Sequence, residues 1–279
     1  ILTGGAQADF LSGLDGNDTL NGGGGADLLI GGSGNNTLNG GSGVDSANYS
    51  AAPASISINL AADSGVNGSG GTDSFIDVEN VTGSNYADTL SGDGNANTLN
   101  GGDSDDLLNG RGGNNVLIGG NGVDTAQFSD ATGPVSANLQ TSSASNGFGG
   151  TDTLLTIENL VGSDFNDPLQ GDANANRLDG GAGDDVLTGR GGDDVYLVES
   201  IGDSVIETSG EGTDEIRTAL SIYALPAHVE TLTYTGAGAF IGTGNGDANS
   251  ITGGAGNDVL DGAAGADSLT GLGGNDIYS

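Results

Sequence analysis

The residues of this chain that could do chemistry are carboxylates, and they recur at one fixed place. Nonapeptides of approximate form G-G-x-G-x-D-x-U-x, with U large and apolar, begin at Gly4, Gly13, Gly22, Gly31 and Gly40. Further runs begin at Gly83, Gly162 and Gly244, giving four runs of 5, 5, 4 and 4 units. The sixth position holds Asp9, Asp18, Asp27, Asp45, Asp88, Asp106, Asp124, Asp167, Asp185, Asp194, Asp258, Asp267 and Asp276. In the remaining units it is Asn36, Asn97, Asn115, Asn176 and Asn249. Carboxylates stacked about one strand spacing apart, roughly 4.8 Å, repel one another unless a divalent cation lies between them. Side-chain oxygens joined by glycine-loop main-chain carbonyls suit a hard ion that takes roughly six to eight oxygen ligands in flexible geometry, which favours several calcium ions over magnesium. Zinc would ask for Cys or His; there is no Cys, and the single histidine, His228, reads as an ordinary loop residue.

Other chemistries find no support in the residues. No H-E-x-x-H helix or G-x-S-x-G elbow occurs, and no histidine stands beside a plausible nucleophile, so no catalytic residue is assigned and the segment reads as non-enzymatic. Glu79, Glu158 and Glu230, outside the nonapeptides, are expected to satisfy backbone donors or bind an additional ion rather than to act as acids.

The elements that must position the carboxylates follow from the eighth position. It reads Leu11, Leu20, Leu29, Leu38, Ala47, then Leu90, Leu99, Leu108, Leu117, Ala126, then Leu169, Leu178, Leu187, Tyr196, and finally Ile251, Leu260, Leu269, Tyr278. A three-residue strand turns its middle side chain to one face, so two strands and two glycine turns per 18 residues make a flattened coil with these residues stacked inside. The fold class expected is all-β, a parallel β-roll or β-solenoid with wider interrupting coils. Loops two units apart then share an edge. One edge of the first run carries Asp9, Asp27 and Asp45 and the other Asp18 and Asn36. In the second run Asp88, Asp106 and Asp124 face Asn97 and Asn115. In the third, Asp167 and Asp185 face Asn176 and Asp194, and in the fourth Asp258 and Asp276 face Asn249 and Asp267. Asparagine offers a neutral oxygen without charge attraction, so the aspartate edges should bind more strongly. Arg111, in the loop between Asn97 and Asn115, is a candidate to replace an ion there, with a solvated arginine as the plainer alternative; Arg190 sits equivalently in the third run.

A longer period overlies the first. Asp45, Asp73, Glu79, Asp88, Leu99 and Arg111 recur as Asp124, Asp152, Glu158, Asp167, Leu178 and Arg190, each displaced by 79 residues. The runs occupy 1–48, 83–127, 162–197 and 244–279, separated by intervening β segments at 49–82, 128–161 and, longer, 198–243. In the first segment, Ile56 to Leu60 alternates as a strand and Phe75 to Val81 reads as another. Gly212-Thr213-Asp214 echoes Gly71-Thr72-Asp73, which makes the longest segment a relative of the other two. One continuous solenoid, cut from a longer chain, is the organisation expected.

Composition agrees. Of 279 residues 57 are glycine, and only 4 basic side chains face 38 acidic ones, for a net charge of -34, which opposes compaction unless it is neutralised. Such a composition reads as disorder, but the strict spacing argues for a repeat architecture. Nucleic acid is excluded by the sign of the charge, and no stretch is apolar enough for membrane insertion.

The units Gly22 to Ile30, Gly180 to Thr188 and Gly253 to Asp261 resemble the hemolysin-type calcium-binding, or RTX, nonapeptides of bacterial proteins exported by type I secretion. The resemblance implies an extracellular or cell-surface location and folding triggered by calcium. A calcium-stiffened spacer, adhesin, extracellular fibre or surface-layer segment is the role expected, with self-association into a fibre or lattice, or a cell surface or polysaccharide, as its contacts. The competing reading is the repeat-rich region of a secreted protease, lipase or polysaccharide epimerase or lyase whose catalytic domain lies outside this sequence. Ice binding has less support, because the outward positions are not aligned threonines.

Overall fold

The computed structural model describes residues 1–279, and nearly all of its regular structure is short parallel strand. Two compact units are distinguished: Ile1–Phe128 with Ser142–Ile157, and Ser129–Thr141 with Glu158–Ser279. Each is a β-solenoid of stacked coils.

In the first unit the eighth-position residues stack as their period requires. Leu11 pairs with Leu29 and Leu29 with Ala47 on one side of the coil, and Leu20 pairs with Leu38 on the other. Leu20, Leu29, Leu38, Leu90, Leu99, Leu108 and Leu117 are all fully buried. Period 2 within each strand turns the neighbours outward, so each of the two sheets gives the core one file of side chains.

The first intervening segment does more than widen a coil. Ser57–Asn59 is a strand, but at Leu60 the chain turns into a 3-10 helix, Leu60–Ala62, whose first turn is capped by the Asn59 side chain accepting from Ala62 N–H. Buried Ile56, Ile58 and Leu60 keep the expected alternation across that change. The chain then reverses: Ser64–Val66 runs antiparallel to both Ser57–Asn59 and Thr72–Ile76. The expected single strand from Phe75 to Val81 is two, Thr72–Ile76 and Asn80–Thr82, because Asp77 takes a left-handed turn with φ 49° between them. Leu38 stacks on Phe75 and Ile58 on Leu90 on one side of the coil, while Ala47, Val81 and Leu99 stack on the other. The 79-residue copy repeats the reversal, with Ser143–Ser145 antiparallel to Thr151–Leu155.

In the second unit, Leu169 stacks on Leu187 and Leu187 on Val205, while Leu160, Leu178, Tyr196 and Ile216 form the opposite file. The segment from Val198 to Thr243 departs from its expected likeness to the shorter ones. Its strands pair only in parallel, and it keeps the coil going with spacings of 20 and then 16 residues in place of 18. The inner file weakens in the last coil, where Leu269 is half-buried and Tyr278 is 52% exposed; these two were expected in the core, but that coil is stacked on one side only. No helix is long and apolar enough to cross a membrane.

Candidate metal centre

Most sixth-position side chains serve as rungs. The Asp9 N–H donates to Asp27 Oδ1 at 2.8 Å and the Asp27 N–H to Asp45 Oδ1 at 2.7 Å. Asp88 donates to Asp106 and Asp106 to Asp124 at 2.7 and 2.8 Å, and Asp167 to Asp185 at 2.9 Å. The opposite edges align likewise, from Asp18 to Asn36, Asn97 to Asn115, Asn176 to Asp194 and Asn249 to Asp267, and Asp258 donates to Asp276. A rung thus holds one carboxylate oxygen against the backbone of the preceding coil and sends the other into the glycine loop.

That second oxygen distinguishes the rungs. Oδ2 of Asp18, Asp27, Asp45, Asp106, Asp185 and Asp194 is buried without a hydrogen-bond partner. At four other rungs the same oxygen is satisfied locally: Gly5 N–H donates to Asp9, Gly254 N–H to Asp258, Ser84 N–H to Asp88, and both the N–H and hydroxyl of Ser163 to Asp167, while the Ser84 hydroxyl donates to Asp88 Oδ1. The first glycine of each unit makes the space. A methyl on Gly22 would collide with Asp27 Oδ2 and stand 2.7 Å from the Gly40 carbonyl oxygen.

Electrostatics register the crowding. Burial, then the charges of Asp88, Asp124 and Asp105, push Asp106 up to about 7 against the bond it accepts from the Asp88 N–H. Burial and neighbouring carboxylates likewise take Asp185 to about 6 and Asp194 to about 7. A buried anion with an unbonded oxygen beside like charges is stabilised by a cation. An orphaned carboxylate oxygen next to glycine carbonyls is a donor set that calcium accepts.

Asparagine rungs are satisfied differently. Asn97 Nδ2 donates to the Glu79 carbonyl at 2.9 Å and Asn176 Nδ2 to the Glu158 carbonyl at 2.8 Å. Asn249 Nδ2 reaches the Val229 carbonyl, while Asn36 and Asn115 donate to carboxylates of the next rung, Asp73 and Asp152. Arg111 and Arg190 both adopt left-handed backbone, with φ of 58° and 80°, and the Arg190 guanidinium contacts Gln170 Oε1 at 3.1 Å. His228 lies in a turn, its N–H donating to Asp247 Oδ2 at 3.3 Å.

An RTX calcium-binding nonapeptide repeat model matches residues 1–29, 12–47, 77–103, 91–126, 161–196 and 243–278, together more than half of the chain. The chain belongs to the RTX calcium-binding nonapeptide repeat family. Among curated proteins no match to it is found. The RTX repeats coincide with the runs of rungs described above, and the fold is the β-roll that such repeats build.

Several rungs lie outside the RTX repeats. Asp73 and Asp152 continue the asparagine edges of the first unit, accepting from the Asn36 and Asn115 N–H groups. Asp203 and Asp214 continue the edges of the third run, accepting from Asp185 and Asp194. Glu79 accepts from the Asp45 N–H at 2.7 Å and Glu230 from the Asp214 N–H at 2.9 Å, so both satisfy backbone donors. The shared Gly-Thr-Asp triplet was the available signal for Asp73, Asp152 and Asp214. Glu207 carried none: its segment has no nonapeptide frame, yet it comes within reach of Asp194 and Asp214.

Proposed function

We propose that this RTX chain is a structural segment of a secreted or cell-surface protein that folds when calcium neutralises its carboxylate rungs. The observation that carries the reading is the set of buried Oδ2 atoms left without a partner on the aspartate edges, at Asp27, Asp45, Asp106 and Asp185. Without a cation these anions oppose the closure of the leucine file; with one they hold adjacent coils together. The net charge of -34 makes the same demand on the whole chain. Binding and folding are then one reaction, as in other folds with small cores and metal ligands.

The role best suited to such a segment is mechanical: a spacer, fibre or surface-layer element that is unfolded where calcium is scarce and stiff outside the cell. Most sixth-position carboxylates are already engaged as rungs, and the side chains between them build strands and turns. Affinity per ion is expected on the order of 10⁻⁴ to 10⁻³ M, the range of extracellular calcium modules, with cooperativity because each coil stacks on its neighbours.

Far-UV circular dichroism during exhaustive chelation and calcium readdition tests the proposal. A β-signal lost on chelation and restored cooperatively by calcium supports it. A β-signal unchanged after complete calcium removal overturns it.

A further inference from the structure

One acidic group in the second unit departs from the two-carboxylate pattern of the nonapeptide edges. Asp194 and Asp214 are successive rungs, joined by the Asp194 N–H to Asp214 Oδ1 bond of 2.9 Å. Glu207 enters from the segment between them, and one oxygen of each of the three carboxylates lies within 4.8 Å of the others. A calcium ion bound at about 2.4 Å can touch oxygens up to about 4.8 Å apart, whereas magnesium at about 2.1 Å would need them closer.

A second observation points to the same spot. Asp194 is 1% exposed, and its Oδ2 has no hydrogen-bond partner. A methyl added to Gly189 would collide with both that oxygen and the Tyr196 hydroxyl, so the two converge over a bare Cα. Tyr196 is fully buried at an eighth position where most units carry leucine. Its ring fills the inner file between Leu178 and Ile216, and its hydroxyl donates to Glu207 Oε1. The tyrosine thereby fixes the glutamate where a repeat unit alone supplies no ligand.

We propose that Asp194, Asp214 and Glu207 form a three-carboxylate cation site, in which Glu207 adds a ligand from outside the nonapeptide edge, and that it takes calcium and binds trivalent lanthanides more tightly than any other site in the chain. The inference rests on reading the chain as a calcium-binding roll. Three anionic ligands at one ion give the greatest charge attraction in the molecule, and charge count is a main determinant of affinity among calcium sites. Tyr196 adds a spectroscopic handle, since a bound terbium ion would lie beside its hydroxyl.

The test is a terbium titration of the calcium-free full chain, read by tyrosine-sensitised luminescence, with wild type, Glu207→Gln and Tyr196→Phe compared. Wild type should show a first, tight phase. Glu207→Gln should weaken that phase by about ten-fold or more, and Tyr196→Phe should reduce its emission while leaving binding within about three-fold, as measured by competition with calcium. A first phase of equal affinity in wild type and Glu207→Gln overturns the site, as does undiminished first-phase emission in Tyr196→Phe. Circular dichroism of the same samples in calcium separates the two readings: a wild type that does not fold with calcium defeats the roll, while the terbium comparison still judges the site. Should Glu207→Gln alone fail to fold, the Tyr196→Phe emission decides.

Discussion

Tyr49 and Phe128 occupy equivalent places in the two 79-residue repeats, and they differ by one hydroxyl. In the first repeat the Asp73 carboxylate accepts from Asn36 and Asn67 on Oδ1 and from the Tyr49 hydroxyl on Oδ2, at 2.9, 2.9 and 3.0 Å. In the second, Asn115 and Asn146 repeat the Oδ1 bonds to Asp152, but Phe128 offers nothing to Oδ2, which is buried without a partner. Burial raises the Asp152 pKa accordingly. Tyr49→Phe should therefore destabilise the folded chain by about 1–3 kcal/mol, the cost of an unsatisfied buried acceptor, and Phe128→Tyr should stabilise it by about 1 kcal/mol. Denaturant melts at fixed calcium check both signs. The same scale explains Gly22: alanine there meets a carboxylate and a carbonyl together, with an expected loss of about 1–3 kcal/mol. The rungs were legible because Asp and Asn recur in one frame, whereas the serine partners Ser84 and Ser163 were not, since a serine at a glycine position reads as ordinary variation.

At the scale of elements, strand and turn are too short to be stable alone, and stacking supplies what each lacks. Leu99 shows the dependence: fully buried, it lies between Val81 and Leu117 in the file. Leu99→Ala should cost about 2–5 kcal/mol by equilibrium unfolding, while its half-buried neighbour Thr98→Ala should cost under about 1 kcal/mol. The parallel coils were readable from the spacing of leucines. The antiparallel turnback at Ser64–Val66 was not, because a three-residue strand with Gly65 at its centre carries no apolar alternation, and its partners lie on both sides in space. In the 198–243 segment the Gly-Thr-Asp echo marked a kinship without revealing that Asp214 is a rung, and the coil around it is set by stacking on Tyr196 and Leu197 rather than by likeness to the shorter segments.

For the molecule as a whole, charge decides when the coils can close. Burial foremost, with neighbouring anions, takes Asp185 and Asp214 to about 6, Asp106 and Asp194 to about 7 and Glu207 to about 8 in the folded chain. Groups whose pKa is raised on folding stabilise the folded state when protonated, in full below about pH 4, and that contribution is lost as the pH climbs through about 6 to 8. Without calcium the chain should therefore retain more β-structure at about pH 5 than at about pH 8, and calcium should narrow the difference; circular dichroism across that window checks it. The central claim is that cations occupy the aspartate edges and amides replace them on the asparagine edges. A calcium anomalous-difference map from crystals grown in calcium tests it most directly. Peaks between the loops of Asp27 and Asp45, Asp88 and Asp106, and Asp167 and Asp185, with none between the loops of Asn97 and Asn115, are the result expected. A peak between the Asn97 and Asn115 loops, or aspartate edges without peaks, would contradict it.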